Sequence, residues 1–162
     1  MNFSFGTDEY IHFILDKYSK SLIKIAFTYM KNIADAEDIV QEVYISLMRR
    51  GKGFESEEHE KAWLIRVTIN QCKNRLKSAW FRKSVPLDED ISYMAEEESE
   101  VLAAVFELPA NYRSVIHLFY YENYSMQEIS KLLQKSPGTI GTWLSRGRKL
   151  LKTKLDGGFE HE

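Results

Sequence analysis

The chain has 162 residues, a mass of 19.0 kDa, 44% hydrophobic residues and a formal net charge of -2, enough to bury a core in one domain or two small ones. Its single cysteine, Cys72, excludes an internal disulfide and a cysteine zinc site. No apolar run reaches the length of a membrane span, and the start MNFSFGTDEY lacks the basic and apolar parts of a signal peptide, so a cytoplasmic location without membrane insertion is expected.

Alternating β-branched runs are absent and stripes of period 3.6 recur, which predicts an all-α fold. The small net charge hides a segregation. Lys61 to Leu87 holds seven basic residues and no acidic one, whereas Asp88 to Glu100 holds seven acidic residues and no basic one. With Pro86 and few core residues, this stretch marks a boundary. Two small helical domains, 7–81 and 98–155, joined by an acidic linker over 82–97, are expected.

In chain order, the first legible element is a helix from about Ala34 to Arg50. Ala36, Ile39, Val40, Val43 and Leu47 form its buried stripe, and Asp38, Gln41, Glu42, Ile45 and Met48 lie on the other side. An outer face that mixes carboxylates with Ile45 and Met48 suits a partner carrying basic and apolar groups, although an ordinary amphipathic helix has the same pattern. Gly51 to Glu60 follows as an acidic, glycine-bearing loop. Its carboxylates would repel a phosphate backbone, which suggests a few side chains offered to bases instead.

A second helix is predicted from about Glu60 to Ala79, with Ile65, Ile69, Cys72 and Leu76 inside. Arg66, Asn70, Lys73 and Lys77 follow one another at i, i+4, i+7 and i+11, so cations and an amide form a row that tracks phosphates and meets unpaired base edges. Trp63, Trp80 and Phe81 bracket this helix, and Trp63, beside Leu64 and Ile65, is expected in the core.

The C-terminal stretch YSMQEISKLLQKSPGTIGTWLSRGRKLLKTKL predicts a helix, a turn of about three residues and a second helix to about Leu155. Ser125 and Glu128 make a capping box; Ser136 is an N-cap with Pro137 at the first helical position. Ile140, Leu144, Gly147 and Leu151 share the buried stripe, and Gly147 admits another helix closely. Gly138, Thr142, Ser145 and Lys149 lie opposite, flanked by Arg146 and Arg148. Seven Lys or Arg and no Asp or Glu occur between Ile129 and Leu155, the footprint of a DNA-reading helix-turn-helix.

Nothing points to catalysis. His12, His59, His117 and His161 are scattered and Cys72 has no companion, so no enzyme, metal, cofactor or small-molecule substrate is expected.

The runs DAEDIVQEVYISLMRR, KAWLIRVTINQCKNRLK and LPANYRSVIHLFYYENYSMQEISKLLQKSPGTIGTWLSRGRKLL resemble, in family order, the bacterial RNA polymerase sigma factors of the extracytoplasmic-function group. The resemblance implies that Asp38, Gln41, Glu42, Ile45 and Met48 dock on the clamp helices of the polymerase β′ subunit, and that the polymerase β flap is a further partner. It implies that Arg66, Asn70, Lys73 and Lys77, with the loop before them, melt and read the −10 promoter element. It also implies that Ser136, Gly138, Thr139, Thr142, Ser145, Arg146, Arg148 and Lys149 read the −35 element. The linker would thread near the RNA exit path, and an anti-sigma factor is a candidate partner. Gly141 and Trp143 depart from the family pattern, which has basic or small polar residues there, and Trp143 is expected to pack. A stand-alone helix-turn-helix regulator of operators is the alternative, and a pure adaptor is disfavoured by the two separate basic faces.

Overall fold

The computed structural model describes residues 7–77 and 99–160, and among these the only regular elements are helices. The whole of the expected linker, 82–97, with Trp80 and Phe81, lies outside the described residues. The chain divides into two compact units, Met1–Val85 and Pro86–Glu162.

In the first unit, α1 (Asp8–Met30) opens at Thr7, whose hydroxyl accepts from the Tyr10 N–H, with Asp8 and Glu9 in the first turn where the helix dipole favours negative charge. It ends at Lys31 in the left-handed conformation. The next cap follows at once: Asn32 Oδ1 accepts from the Asp35 N–H at 2.9 Å, opening α2 (Ile33–Arg50), which closes on Gly51 at φ 74°.

α3 (Glu57–Leu76) begins three residues before the expected Glu60, because Ser56 Oγ caps it by accepting from the His59 N–H at 3.0 Å. The acidic residues Glu57, Glu58 and Glu60 are thus the first turn of a helix, where a dipole stabilises them, and not loop.

The three helices pack on one another through fully buried Ile14, Leu22, Ile25, Phe27, Ile39, Leu47, Leu64, Ile65 and Ile69. The predicted stripe of α2 is buried throughout; in α3 Leu76 is only half-buried, while Leu64 and Thr68 join the core. Tyr10 and Tyr18 of α1 both donate to the Glu60 carboxylate, at 2.8 and 3.1 Å, fixing the start of α3 against α1. Burial, then the hydrogen bond to Glu60, pushes the Tyr10 phenol above its ordinary range.

The second unit comprises α4 (Ser99–Phe106), α5 (Ala110–Ile116), a π-helical turn (His117–Tyr121), α6 (Met126–Leu133) and α7 (Pro137–Glu160). Buried Arg113 donates to the carbonyls of Phe106 and Leu108, at 3.3 and 2.7 Å, satisfying acceptors at the end of α4. The π turn places His117 against Glu122, Nε2 to Oε2 3.5 Å, with both side chains buried. α7 runs beyond the expected Leu155 to Glu160.

Candidate nucleic-acid interface and docking face

On α2 the structure exposes Asp38, Gln41, Ile45 and Met48, with Ile45 42% and Met48 52% accessible. Two large apolar side chains one turn apart are thus left to solvent beside acidic and amide groups. Glu42 differs from its neighbours. It is half-buried, and its Oε1 accepts from Arg75 Nη2 of α3 at 2.8 Å. The other Arg75 nitrogen lies 3.9 Å from Asp35 and 4.0 Å from Asp38, so one guanidinium draws three α2 carboxylates together. Burial raises the Asp35 carboxyl above its ordinary value, against the pull of Arg75. Sequence reasoning missed Arg75 and Asp35. The available signal was a basic α3 without a single acid after Lys61, facing the acidic α2.

Along α3, Arg66, Asn70 and Lys77 are exposed and Lys73 is half-buried; Lys77 is also the C-cap residue. The row thus turns outward as its spacing requires. Trp63 is half-buried and not a core residue: its ring sits 5.6 Å from Phe54 and 5.3 Å from the Arg50 guanidinium. Cys72 is fully buried against the Ala26 carbonyl, and burial pushes its thiol up to about 12.

In the second unit the capping box closes both ways, Glu128 N to Ser125 Oγ 3.1 Å and Ser125 N to Glu128 Oε1 3.0 Å. Ile129, Leu132 and Leu133 of α6 are buried. Gln134 then takes the left-handed conformation, φ 56°, and the Ser130 hydroxyl donates to the Lys135 carbonyl, which reverses the chain before Ser136. Ser136 Oγ accepts from the Thr139 N–H at 3.2 Å and lies 2.9 Å from Thr139 Oγ1. These two hydroxyls therefore already serve the start of α7.

Gly138, Thr142, Ser145, Arg146, Arg148 and Lys149 are exposed on α7, while Ile140, Leu144 and Gly147 are buried. A Cβ on Gly147 would lie 2.8 Å from Ile116 Cδ1 and 3.2 Å from Tyr112 Cβ, which is why glycine stands there. Arg148 is held: its Nε donates to the Tyr120 hydroxyl at 2.6 Å, with the Phe119 and Tyr120 rings 5.6 and 5.5 Å away. Trp143 is half-buried. A Cβ on Gly141 would meet only Met126 Sδ at 3.9 Å, an ordinary contact. Alongside α7, Val101, Val105, Ile116, Leu151 and Leu155 line an apolar cavity of about 520 Å³ together with Tyr120, Arg148 and Lys152. No helix among the described residues is long and apolar enough to cross a membrane.

A helical unit with an outward cation row, and a second unit carrying a capped helix-turn-helix with a basic outer face, define a DNA-binding protein. Residues 14–82 match the family model of sigma-70 region 2, and residues 98–151 match that of sigma-70 region 4. The chain is 26% identical to the extracytoplasmic-function sigma factor SigX of Bacillus subtilis, over 92% of this chain and 85% of that one, and 26% identical to SigW of the same organism, over 88% and 87%. Its fold is similar to that of the sigma factor RpoE solved with the anti-sigma factor NepR from Bartonella quintana: TM-score 0.71, 20% identity, 93% of this chain and 98% of that one covered. It is also similar to CnrH solved with the cytosolic domain of CnrY, with TM-score 0.67 and 20% identity over 94% and 91%. The chain belongs to the extracytoplasmic-function sigma factors, transcription initiation factors that bind core RNA polymerase and direct it to promoters. The region 2 match accounts for the first unit in a way that an operator-binding regulator does not.

Proposed function

We propose that the two units divide promoter recognition between them. In the first (residues 7–81), Asp38, Gln41, Glu42, Ile45 and Met48 dock on the β′ clamp helices, and Arg66, Asn70, Lys73 and Lys77 hold the opened −10 strand. In the second (98–155), Gly138, Thr142, Ser145, Arg146 and Lys149 contact the −35 duplex, with Arg148 aligned by Tyr120 and with Ser136 and Thr139 contributing as caps that present the helix N-terminus to phosphate. The linker over 82–97 spans the distance between the two elements. The observation that carries this reading is the outward turn of two separate basic surfaces, on α3 and α7, in two different units.

The Ile45 and Met48 side chains supply the apolar part of the clamp contact, and exposed Asp38, at the edge of the Arg75 cluster, supplies negative charge. The apolar cavity beside α7 suits the β flap, since its apolar lining residues Val101, Val105, Ile116, Leu151 and Leu155 are not among those assigned to DNA. An anti-sigma factor fits as a competing partner, as RpoE was solved with the anti-sigma factor NepR. The test is transcription from a promoter library by purified core polymerase with and without this protein. Discrete start sites that depend on the protein support the assignment, and their absence refutes it.

A further inference from the structure

The cavity alongside α7, at about 520 Å³, falls within the range of about 300–1,000 Å³ that small-molecule sites occupy. Val101 and Val105 of α4, Ile116 of α5, and Leu151 and Leu155 of α7 give it apolar walls. Its polar part is concentrated. Arg148 gives its Nε to the Tyr120 hydroxyl at 2.6 Å and lies against the Phe119 and Tyr120 rings, so its direction is set and its Nη donors are left for another acceptor. Lys152 stands one turn further along α7, beside it. Tyr120 belongs to the π-helical turn His117–Tyr121, which also supplies Tyr121 to the lining, and such turns recur at functional sites.

Elsewhere Lys17, Arg75 and Lys154 each meet a carboxylate, but among the described residues neither Arg148 nor Lys152 does. The one acid in the lining, Asp156, lies a further turn beyond Lys152. Two cations against one carboxylate leave the lining with a single positive charge. Apolar walls gain from burying a hydrocarbon, and a guanidinium gains from a bidentate bond to a carboxylate, so the two parts together select a molecule that carries both. A nucleic acid has no hydrocarbon to bury there.

We propose that this cavity is a binding site for a small amphiphilic monoanion, an aliphatic carboxylate of the fatty-acid class, whose tail fills the apolar walls and whose carboxylate takes Arg148 and Lys152. Occupancy has a consequence for transcription. It would draw Arg148 away from the −35 duplex and close the cavity to the flap. Binding itself is independent of the promoter reading, and only this consequence rests on it.

The experiment is calorimetric titration of the full chain with hexanoate, octanoate and octan-1-ol. Octanoate should bind saturably at one site and more tightly than octan-1-ol, and each CH₂ from hexanoate to octanoate should tighten binding by up to about fourfold. Arg148→Ala with Lys152→Ala should remove the preference for the carboxylate and leave octan-1-ol binding as it was. Val101→Trp, at an exposed position where no core residue has to move, should block the cavity to both. No saturable binding of octanoate, equal affinity for octanoate and octan-1-ol, or binding that Val101→Trp retains in full would overturn the proposal. Two other occupants would do so as well. Binding that appears only after Ile91, Tyr93 and Met94 are replaced by Ser would give the cavity to the chain's own acidic segment, and self-association abolished by Val101→Trp would give it to a second copy. The affinity for upstream-element duplex, with and without octanoate, tests the consequence separately: a fall supports it, and no change at saturating octanoate removes Arg148 from the −35 contact while the site stands.

Discussion

At the scale of single residues, Gly147 and Cys72 give the sharpest tests of the packing. An Ala at 147 would gain about 1 kcal/mol of helix propensity. It would also push a methyl against Ile116 and Tyr112, where overpacking costs about 1–3 kcal/mol. Gly147→Ala should therefore lower the stability of the second unit by about 1 kcal/mol, read as a lower Tm, and Gly147→Leu should unfold it. An unchanged Tm for the Leu variant would show that α5 and α7 do not approach as described.

Cys72 should be inert to thiol reagents in the native protein, and its labelling should follow unfolding. Its pKa in the folded chain is raised from 9.0 to about 12, so the folded state holds the proton more tightly than the unfolded one. The stability this contributes is complete below about pH 9 and is lost as pH rises toward 12. Cys72→Ala should flatten that alkaline decline, which denaturant titrations at increasing pH would reveal.

Elements show what the sequence makes legible and what it does not. The capping box at Ser125 and Glu128, the Ser136 cap with Pro137, and the buried stripe of α2 all rest on residues within four positions of one another, and local spacing is enough to find them. The acidic run before Glu60 reads as loop, although Ser56 with three acids behind it also fits a helix N-terminus, and that is the start α3 takes. The partners of Glu42 and Arg148 were out of reach of any local pattern, since Arg75 is 33 positions from Glu42 and Tyr120 is 28 from Arg148. Side-chain pairings of that kind depend on how the helices are brought together.

The pairing changes what docking mutants should do. Ile45→Asp and Met48→Asp should weaken core polymerase binding by tenfold or more while leaving the Tm unchanged, since both side chains are exposed; roughly tenfold corresponds to about 1.4 kcal/mol. Glu42→Lys should weaken binding and also lower the Tm, because it repels Arg75. Size-exclusion co-elution with core enzyme and thermal melting of the same samples separate the two effects. A Glu42→Lys protein that melts like wild type would show that the Arg75 cluster contributes nothing to the fold.

For the whole molecule, the acidic stretch Asp88 to Glu100 follows the boundary at 85/86 between two units that each carry a basic face. Across more than a Debye length, about 8 Å at physiological salt, such charges barely interact, so any restraint of free protein by this stretch would need close contact. Neutralising Asp88, Glu89, Asp90, Glu96, Glu97 and Glu98 should raise the affinity of free protein for upstream-element DNA at low salt. A gel-shift titration that shows no change would leave the spacing of the units by polymerase as the sufficient explanation.

The division of labour between the units is tested most directly by strand opening and upstream binding measured on the same promoter. Holoenzymes carrying either Arg66→Ala, Asn70→Ala and Lys73→Ala together, or Arg146→Ala with Lys149→Ala, would be compared by permanganate reactivity of −10 thymines and by footprinting of the −35 duplex. The α3 set should abolish thymine reactivity and preserve the −35 footprint, and the α7 set should weaken the footprint first. Equal loss of the footprint by both sets, with thymine reactivity unaffected by the α3 set, would contradict the assignment of one surface to each element.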